Sequence, residues 1–140
     1  MASFVDPSLA SQILRESLVA NAAVTAIVGD RVRGSHAVDP DATDPTYPIL
    51  ILANAGGAAI RGGVVADLTF ALTAYSRTSS DEALAAYQAA IAVLGTERLT
   101  RTGISATLIV HERTRPVLGW DEPHRAHFAV GRLRVTEFSS

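Results

Sequence analysis

Three histidines and one glutamate in the C-terminal third have the residue types of a zinc site. His111 and Glu112 are adjacent, and His124 and His127 follow within the same predicted hairpin. Imidazole nitrogens and carboxylate oxygens are common zinc ligands, and their convergence would indicate metal-dependent hydrolysis. Successive side chains of a strand point to opposite faces, however, so at most two of the histidines can meet. We therefore expect no metal site and assign these residues a structural or surface role.

Nucleophilic catalysis and phosphate binding have little support. The chain has no cysteine and no lysine, and it lacks the Gly-x-Ser-x-Gly and Ser-x-x-Lys patterns of serine nucleophiles. The glycine pairs in 54–57 and 61–63 have no Lys-Ser/Thr ending of a phosphate loop, and a glycine-rich hairpin or tip explains them better. We expect a protein without enzymatic activity or cofactor. A small hydrolase using His111, His124 and His127 remains the alternative from a different class.

Charged residues are the remaining candidates for a functional surface. The net charge is −2 and the 12 basic residues are all arginine, so a general nucleic-acid-binding role is not expected. Acidic residues cluster in segment 34–46, and arginines cluster in the C-terminal hairpin. Either these charges are solvated, with pairs that contribute ~0–1 kcal/mol each, or the acidic arm of one subunit meets the basic edge of the next. The candidate interface residues are Asp39, Asp41, Asp44, Arg61, Arg113, Arg115, Trp120, Arg132 and Arg134.

Length and composition predict one domain over residues 1–140. A chain of 140 residues with 48% hydrophobic residues can bury a core without disulfides. Aromatic residues make up only 6%, which favours a closely packed scaffold over a ligand pocket. No apolar run approaches the ~20 residues of a membrane span, and the N-terminus lacks the pattern of a signal peptide. We therefore expect a soluble protein that is not secreted.

Capping residues place the predicted helices. Asp6-Pro7 starts the first helix, Asn21 caps a short second one, and Gly29 closes it. A Ser-x-x-Glu capping box at Ser79 opens another helix that ends at Gly95. The predicted apolar stripes are Leu9, Ile13, Leu14 and Leu18 in the first helix and Leu84, Tyr87, Ile91 and Leu94 in the last. The other positions of the last helix are rich in alanine, which would allow a sheet or another subunit to approach it closely.

Strand patterns occupy the rest of the chain. Segment 31–33 is a short strand, 48–53 is a strand buried on both faces, and 64–75 alternates as a half-exposed strand. Residues 34–46 are predicted to form a long exposed loop. Consecutive strands with short turns predict an α+β fold, with a mostly antiparallel sheet of about four to five strands and two helices packed on one face.

The C-terminal third is predicted as two paired strands, 104–111 and 128–138. A bulge near Gly131 would keep Phe128 and Val130 inward together with Leu133 and Val135. The connection 116–125 is predicted as a polar loop. Trp120 within that loop either covers the edge of the core or anchors an interface.

These elements resemble a known family, the tail terminator or tail-completion proteins of long-tailed bacteriophages and gene transfer agents. The resemblance covers most of the chain. It rests on Ala23–Val32 after an N-terminal helix, Tyr47–Ile51, a strand ending Ala74-Tyr75-Ser76, the capped helix from Ser79, and the closing strand Phe128–Val135.

The resemblance implies a hexameric ring at the head-proximal end of the tail tube. Such a ring stops tube growth and joins the tail to the head connector. It implies contacts with other copies, with the major tail tube protein and with a head-completion or connector protein, while DNA only passes through the lumen. It also implies a place in the virion neck after assembly in the bacterial cytoplasm. We expect 34–46 and 54–63 to make ring or tube contacts. Another neck component, such as a head-completion, stopper or tube-like protein, is the alternative within this class.

Overall fold

The computed structural model describes residues 8–34, 47–55, 59–61, 64–95 and 98–139. The described helices are α1 (Ser8–Val19), α2 (Ala22–Val28) and α3 (Ser80–Leu94). The described strands are β1 (Val32–Arg33), β2 (Ile49–Asn54), β3 (Ala59–Arg61), β4 (Val65–Ser76), β5 (Ala106–Glu112), β6 (Val117–Asp121) and β7 (Ala126–Ser139). The predicted helix start at Asp6-Pro7 and the loop residues 35–46 lie outside the described residues. No described helix has the length and apolar character needed to cross a membrane.

All seven described strands belong to one sheet. Five of them run across it in the order β1-β2-β4-β7-β5, while β3 pairs with β4 and β6 pairs with β7. Only the β1–β2 pair is parallel. The predicted α+β class with a mostly antiparallel sheet is confirmed. The N-terminal helical unit is split into α1 and α2 at the Asn21 cap.

The long central strands β4 and β7 pair without interruption, from Val65 opposite Phe138 to Ser76 opposite His127. The predicted bulge near Gly131 is therefore wrong. Phe128 and Val130 stay half-buried on the sheet face opposite the helices, which we call the outer face. The extra residues lie in the neighbouring strand instead. β5 ends opposite Leu133 and β6 begins opposite Val130, so four residues, 113–116, face only two of β7.

The helices cover the other face, where alternate residues of β4 and β7 are buried. The side chains of α3 on this face are Ala83, Ala86, Tyr87, Ala90 and Leu94. The predicted stripe was thus partly wrong, since Leu84 and Ile91 are only half-buried. Small side chains let the helix approach the sheet closely, and the larger aliphatic ones flank the contact.

The predicted caps at the starts of α2 and α3 are present. The Asn21 side-chain oxygen accepts hydrogen bonds from the Ala23 and Val24 N–H groups, and Gly29 ends α2 with φ 62°. The Ser79 hydroxyl accepts from the Glu82 N–H at 3.1 Å. The Glu82 carboxylate binds the Ser76 hydroxyl at 2.7 Å, so the second half of a capping box is replaced by a contact to the end of β4.

Candidate interaction surface

The outer face presents two arginines of β7 side by side. Arg132 and Arg134 are two residues apart on one strand, so their side chains share a face, and both are exposed. Arg134 Nη2 lies 3.3 Å from Asp67 Oδ1, and the Thr136 hydroxyl lies 3.3 Å from the same oxygen. Asp67 therefore partly neutralises Arg134. The Arg132 guanidinium has no such carboxylate among the described residues.

Further positive charge lies beside Arg132, in the segment 113–116 that we call the basic bulge. The Arg113 N–H donates to the Arg132 carbonyl oxygen at 2.7 Å. The Arg132 N–H donates in turn to the Thr114 hydroxyl at 3.0 Å. These bonds satisfy the backbone where the ladder is interrupted and leave Arg113 and Arg115 exposed. Three of the candidate arginines, Arg113, Arg115 and Arg132, thus belong to one region at the edge of the sheet.

Trp120 lies on a strand, and the predicted loop 116–125 is wrong. β6 (Val117–Asp121) forms a hairpin with β7 through a turn over 122–125, in which Arg125 has φ 49°. The strand could not be predicted from the sequence, because Gly119 interrupts the alternation of apolar residues. In the structure the Phe128 ring occupies the space above Gly119, where an added Cβ would lie 2.5 Å from the Phe128 Cζ.

The Trp120 side chain does not cover the core. It is 49% exposed, its indole N–H donates to Glu122 Oε2 at 2.6 Å, and its ring meets the His127 ring edge-on at 4.9 Å. Val117 and Leu118 of the same strand are 62% and 47% exposed. We call these three apolar side chains of β6 the apolar edge. An exposed cluster on an edge strand fits an interface better than a core cover.

The histidines do not converge. His111 is opposite Arg134 on the outer face, whereas His127 is opposite Trp120 on the helix side. His124 lies in the turn, with Nδ1 2.9 Å from Asp121 Oδ2. Glu112 accepts a hydrogen bond from the Tyr87 hydroxyl on the helix side, so His111 and Glu112 diverge as strand parity predicted. The described residues contain no group of three or more potential metal ligands.

A small polar cluster at the β6–β7 turn was missed by sequence reasoning. The hydrogen bond from His124 is the main cause that lowers the pKa of Asp121. Burial, and then the charge of Asp121, raise the pKa of Tyr75. The Arg77 guanidinium also reaches this turn and donates to the His124 carbonyl oxygen at 3.0 Å. The Asp121-x-x-His124 spacing is the only sequence signal, and it is meaningful only once the hairpin is known.

The side chains of the remaining candidate interface residues lie outside the described part of the structure. Asp39, Asp41 and Asp44 lie outside the described residues. Arg61 belongs to β3 by its backbone, and its side chain is likewise outside the description. The pairing of an acidic arm with a basic edge therefore stays a prediction.

A second surface feature is a groove of about 460 Å³ on the helix layer. It lies between the α1–α2 corner, the C-terminal half of α3 and residues 98–101. Alanines of α2, α3 and the corner between α1 and α2 line it, together with Arg98 and Arg101. Sequence reasoning did not single out either arginine, because no motif surrounds them.

Comparison with known proteins gives a likeness of fold. No family model matches the sequence, and no curated protein matches it. Among solved structures, the chain is similar to a chain in the "Virion of native gene transfer agent (GTA) particle", with a TM-score of 0.62 and 19% sequence identity. The match covers 92% of this chain and 94% of that chain, so the likeness extends over most of both chains.

Proposed function

We propose that this protein is a structural component of a phage-like particle. Specifically, it forms a hexameric ring at the head-proximal end of the tail tube, ends tube growth and joins the tail to the head connector. The observation that carries the proposal is the fold likeness to a chain of a gene transfer agent virion over 92% of this chain. The resemblance of the sequence to tail terminator proteins supports the proposed position within the particle.

The surface of the subunit is compatible with assembly into a ring. A ring needs two different patches on each subunit, because each subunit's leading surface meets the next subunit's trailing surface. The basic bulge with Arg132 is one candidate patch. The acidic sequence Asp39 to Asp44 is its electrostatic complement, and opposite charges across an interface favour association and fix its register.

A structural role also fits the chemistry of the described residues. The histidines are dispersed over two sheet faces and a turn, and the outer-face Arg134 is partly neutralised by Asp67. A ring through which DNA passes must not hold it, since each free lysine or arginine on a phosphate adds affinity. Strong duplex binding by the isolated protein would contradict the proposal.

The test is negative-stain electron microscopy with mass measurement on untagged protein across a concentration series. Six-fold rings, or capping of purified tail tubes by protein that is monomeric alone, support the proposal. A protein that forms no rings and does not bind tube ends refutes it. Binding to head connectors without binding to tubes would identify another neck component.

A further inference from the structure

One edge of the sheet is open within the described part of the chain. β6 pairs with β7 on one side only. The edges at β1 and β5 are partly covered: the Val32 N–H donates to the Asp30 oxygen at 2.8 Å, and the Val32 oxygen accepts from Arg15 Nε at 3.0 Å. In β5, Leu108 exchanges two backbone hydrogen bonds with Leu99. An edge strand without such protection presents outward N–H and C=O groups that another strand can pair with.

The sequence of this strand is complementary to itself in one orientation. Residues 115–122 read Arg-Pro-Val-Leu-Gly-Trp-Asp-Glu, basic at the start and acidic at the end, with Gly119 near the centre. If two copies pair antiparallel about Gly119, Leu118 of each lies opposite Trp120 of the other. Asp121 of the second copy then lies opposite Val117, so Arg115, two residues before Val117, is at the same end of the pair as that carboxylate. Parallel pairing would instead align like charges.

We propose that β6 pairs antiparallel with β6 of a second copy of this chain, so that one sheet continues across a two-fold axis. Each copy contributes Leu118 and Trp120 to a shared apolar cluster on the helix side. Aromatic residues with a large contact area are typical anchors of such interfaces. Gly119 lies at the axis, where the absence of a side chain allows the backbones to approach.

This contact differs in symmetry from the proposed ring contact, although Arg115 adjoins both surfaces. A two-fold contact uses the same patch on both copies and closes after two subunits, whereas a ring uses two different patches. The open β6 edge therefore predicts either a free dimer or the joining of two rings. Its failure would leave the ring proposal untouched.

The first test uses the fact that Trp120 is the only tryptophan. As the protein concentration rises, we expect the mass measured by sedimentation to increase from that of a monomer to that of a dimer. The fluorescence emission of Trp120 should shift to shorter wavelength, and iodide should quench it less. Leu118→Lys should weaken the dimer at least about tenfold, because a buried lysine opposes strand pairing. Gln88→Lys, at an exposed position of α3, is the matched control and should leave the dimer intact. Six-fold rings, if present, should persist in both variants.

The second test does not depend on how strongly Leu118→Lys weakens the dimer. The chain has no cysteine, so single cysteines report contacts directly. Residues directly opposite each other in an antiparallel pair have Cβ atoms about 4.5–5.5 Å apart, so a small movement brings them to the roughly 3.5–4.5 Å of a disulfide, whereas diagonal ones are about 7–8 Å apart. A mixture of Leu118→Cys and Trp120→Cys proteins should oxidise mainly to the mixed dimer. Equal yields of mixed and like-with-like dimers, or no concentration dependence of Trp120 emission in the wild type, would overturn the proposal.

Discussion

Tyr87 of α3 lies directly over Gly131 of β7. A Cβ added to Gly131 would overlap the Tyr87 hydroxyl oxygen and lie 2.8 Å from Cζ. The hydroxyl continues past the glycine and donates to Glu112 Oε2 at 2.7 Å. Burial is the main cause that raises the pKa of Tyr87, and Glu112 adds to it. The missing side chain at Gly131 thus makes room for an interaction between helix and edge strand.

Gly131→Ala should destabilise the protein by about 1–3 kcal/mol, because overpacking forces the tyrosine or the helix to move. Urea unfolding followed by circular dichroism measures this change. Gly34→Ala is the matched control, since the nearest atom to its added Cβ is the Leu52 carbonyl oxygen at 4.0 Å. It should change the free energy of unfolding by less than ~0.5 kcal/mol.

A double-mutant cycle tests whether Tyr87 is the cause. Tyr87→Phe removes the overlapping oxygen and should cost about 1 kcal/mol for the lost hydrogen bond. The combined variant should then be less destabilised than the sum of the two single changes, because the alanine methyl group gains space. Strictly additive effects would show that the cost at Gly131 arises elsewhere.

Ser76→Ala should cost more stability than loss of the predicted N-cap. The Ser76 hydroxyl is buried, donates to Glu82 at 2.7 Å and accepts from the Thr78 and Ser79 N–H groups at 3.0 and 3.3 Å. Removing it leaves the three partner groups at this partly buried corner without these hydrogen bonds, which we expect to cost about 2–3 kcal/mol in total. Ser79→Ala removes a single capping bond, worth about 1 kcal/mol. Thermal and urea unfolding of both variants decide the order; equal losses would show that Ser76 adds nothing beyond an ordinary cap.

Local signals in the sequence predicted the elements whose cause is local. The Asn21 and Ser79 caps and the alternation of β4 depend on a few neighbouring residues, and all three are present. Which side of α3 is buried depends on the sheet against which the helix packs. Leu84 and Ile91 are more hydrophobic than Ala83 and Ala90, yet the alanines face the sheet, because close packing over Gly131 selects small side chains.

In β6 and the candidate surface, too, the sequence predicts features that depend on neighbouring residues and misses those that depend on residues distant in sequence. Gly119 reads as a strand breaker until the Phe128 ring of the neighbouring strand is seen to fill its place. The extra residues expected in β7 are found in 113–116, because pairing with β4 holds β7 regular and leaves the interruption to the edge. The outward positions of Arg132 and Arg134 followed from alternation alone. The pairing of Arg134 with Asp67, 67 residues away, did not.

Acid should destabilise the wild type more than an Asp121→Asn variant. The hydrogen bond from His124 lowers the pKa of Asp121 in the folded state. A depressed carboxyl pKa contributes stability at pH values above the unfolded-state pKa of ~3.9, and this contribution is lost as pH falls through the folded-state pKa. Urea midpoints measured from neutral pH down to the acid limb should therefore converge for the two proteins at low pH.

Asp30→Asn is the control for this pH dependence, since Asp30 is exposed. It removes the same charge at a position outside the β6–β7 turn, so the comparison isolates the effect of position 121. If the Asp121→Asn profile runs parallel to wild type down to the acid limb, the carboxylate at position 121 does not supply the difference.

Charge reversal tests the proposed ring contact. Arg113→Glu with Arg132→Glu places negative charge in the basic bulge and should raise the concentration needed for ring formation by about tenfold, equivalent to ~1.4 kcal/mol. Added salt should reduce the difference, because exposed charges are screened. Arg101→Glu, in the groove on the helix layer, carries the same kind of change at a distant site and should assemble normally. Combining the bulge reversal with Asp41→Arg and Asp44→Arg should restore assembly, because the two patches exchange signs. If the reversed bulge assembles like the wild type, or the fourfold variant assembles no better than the reversed bulge alone, the acidic segment is not the complement of these arginines.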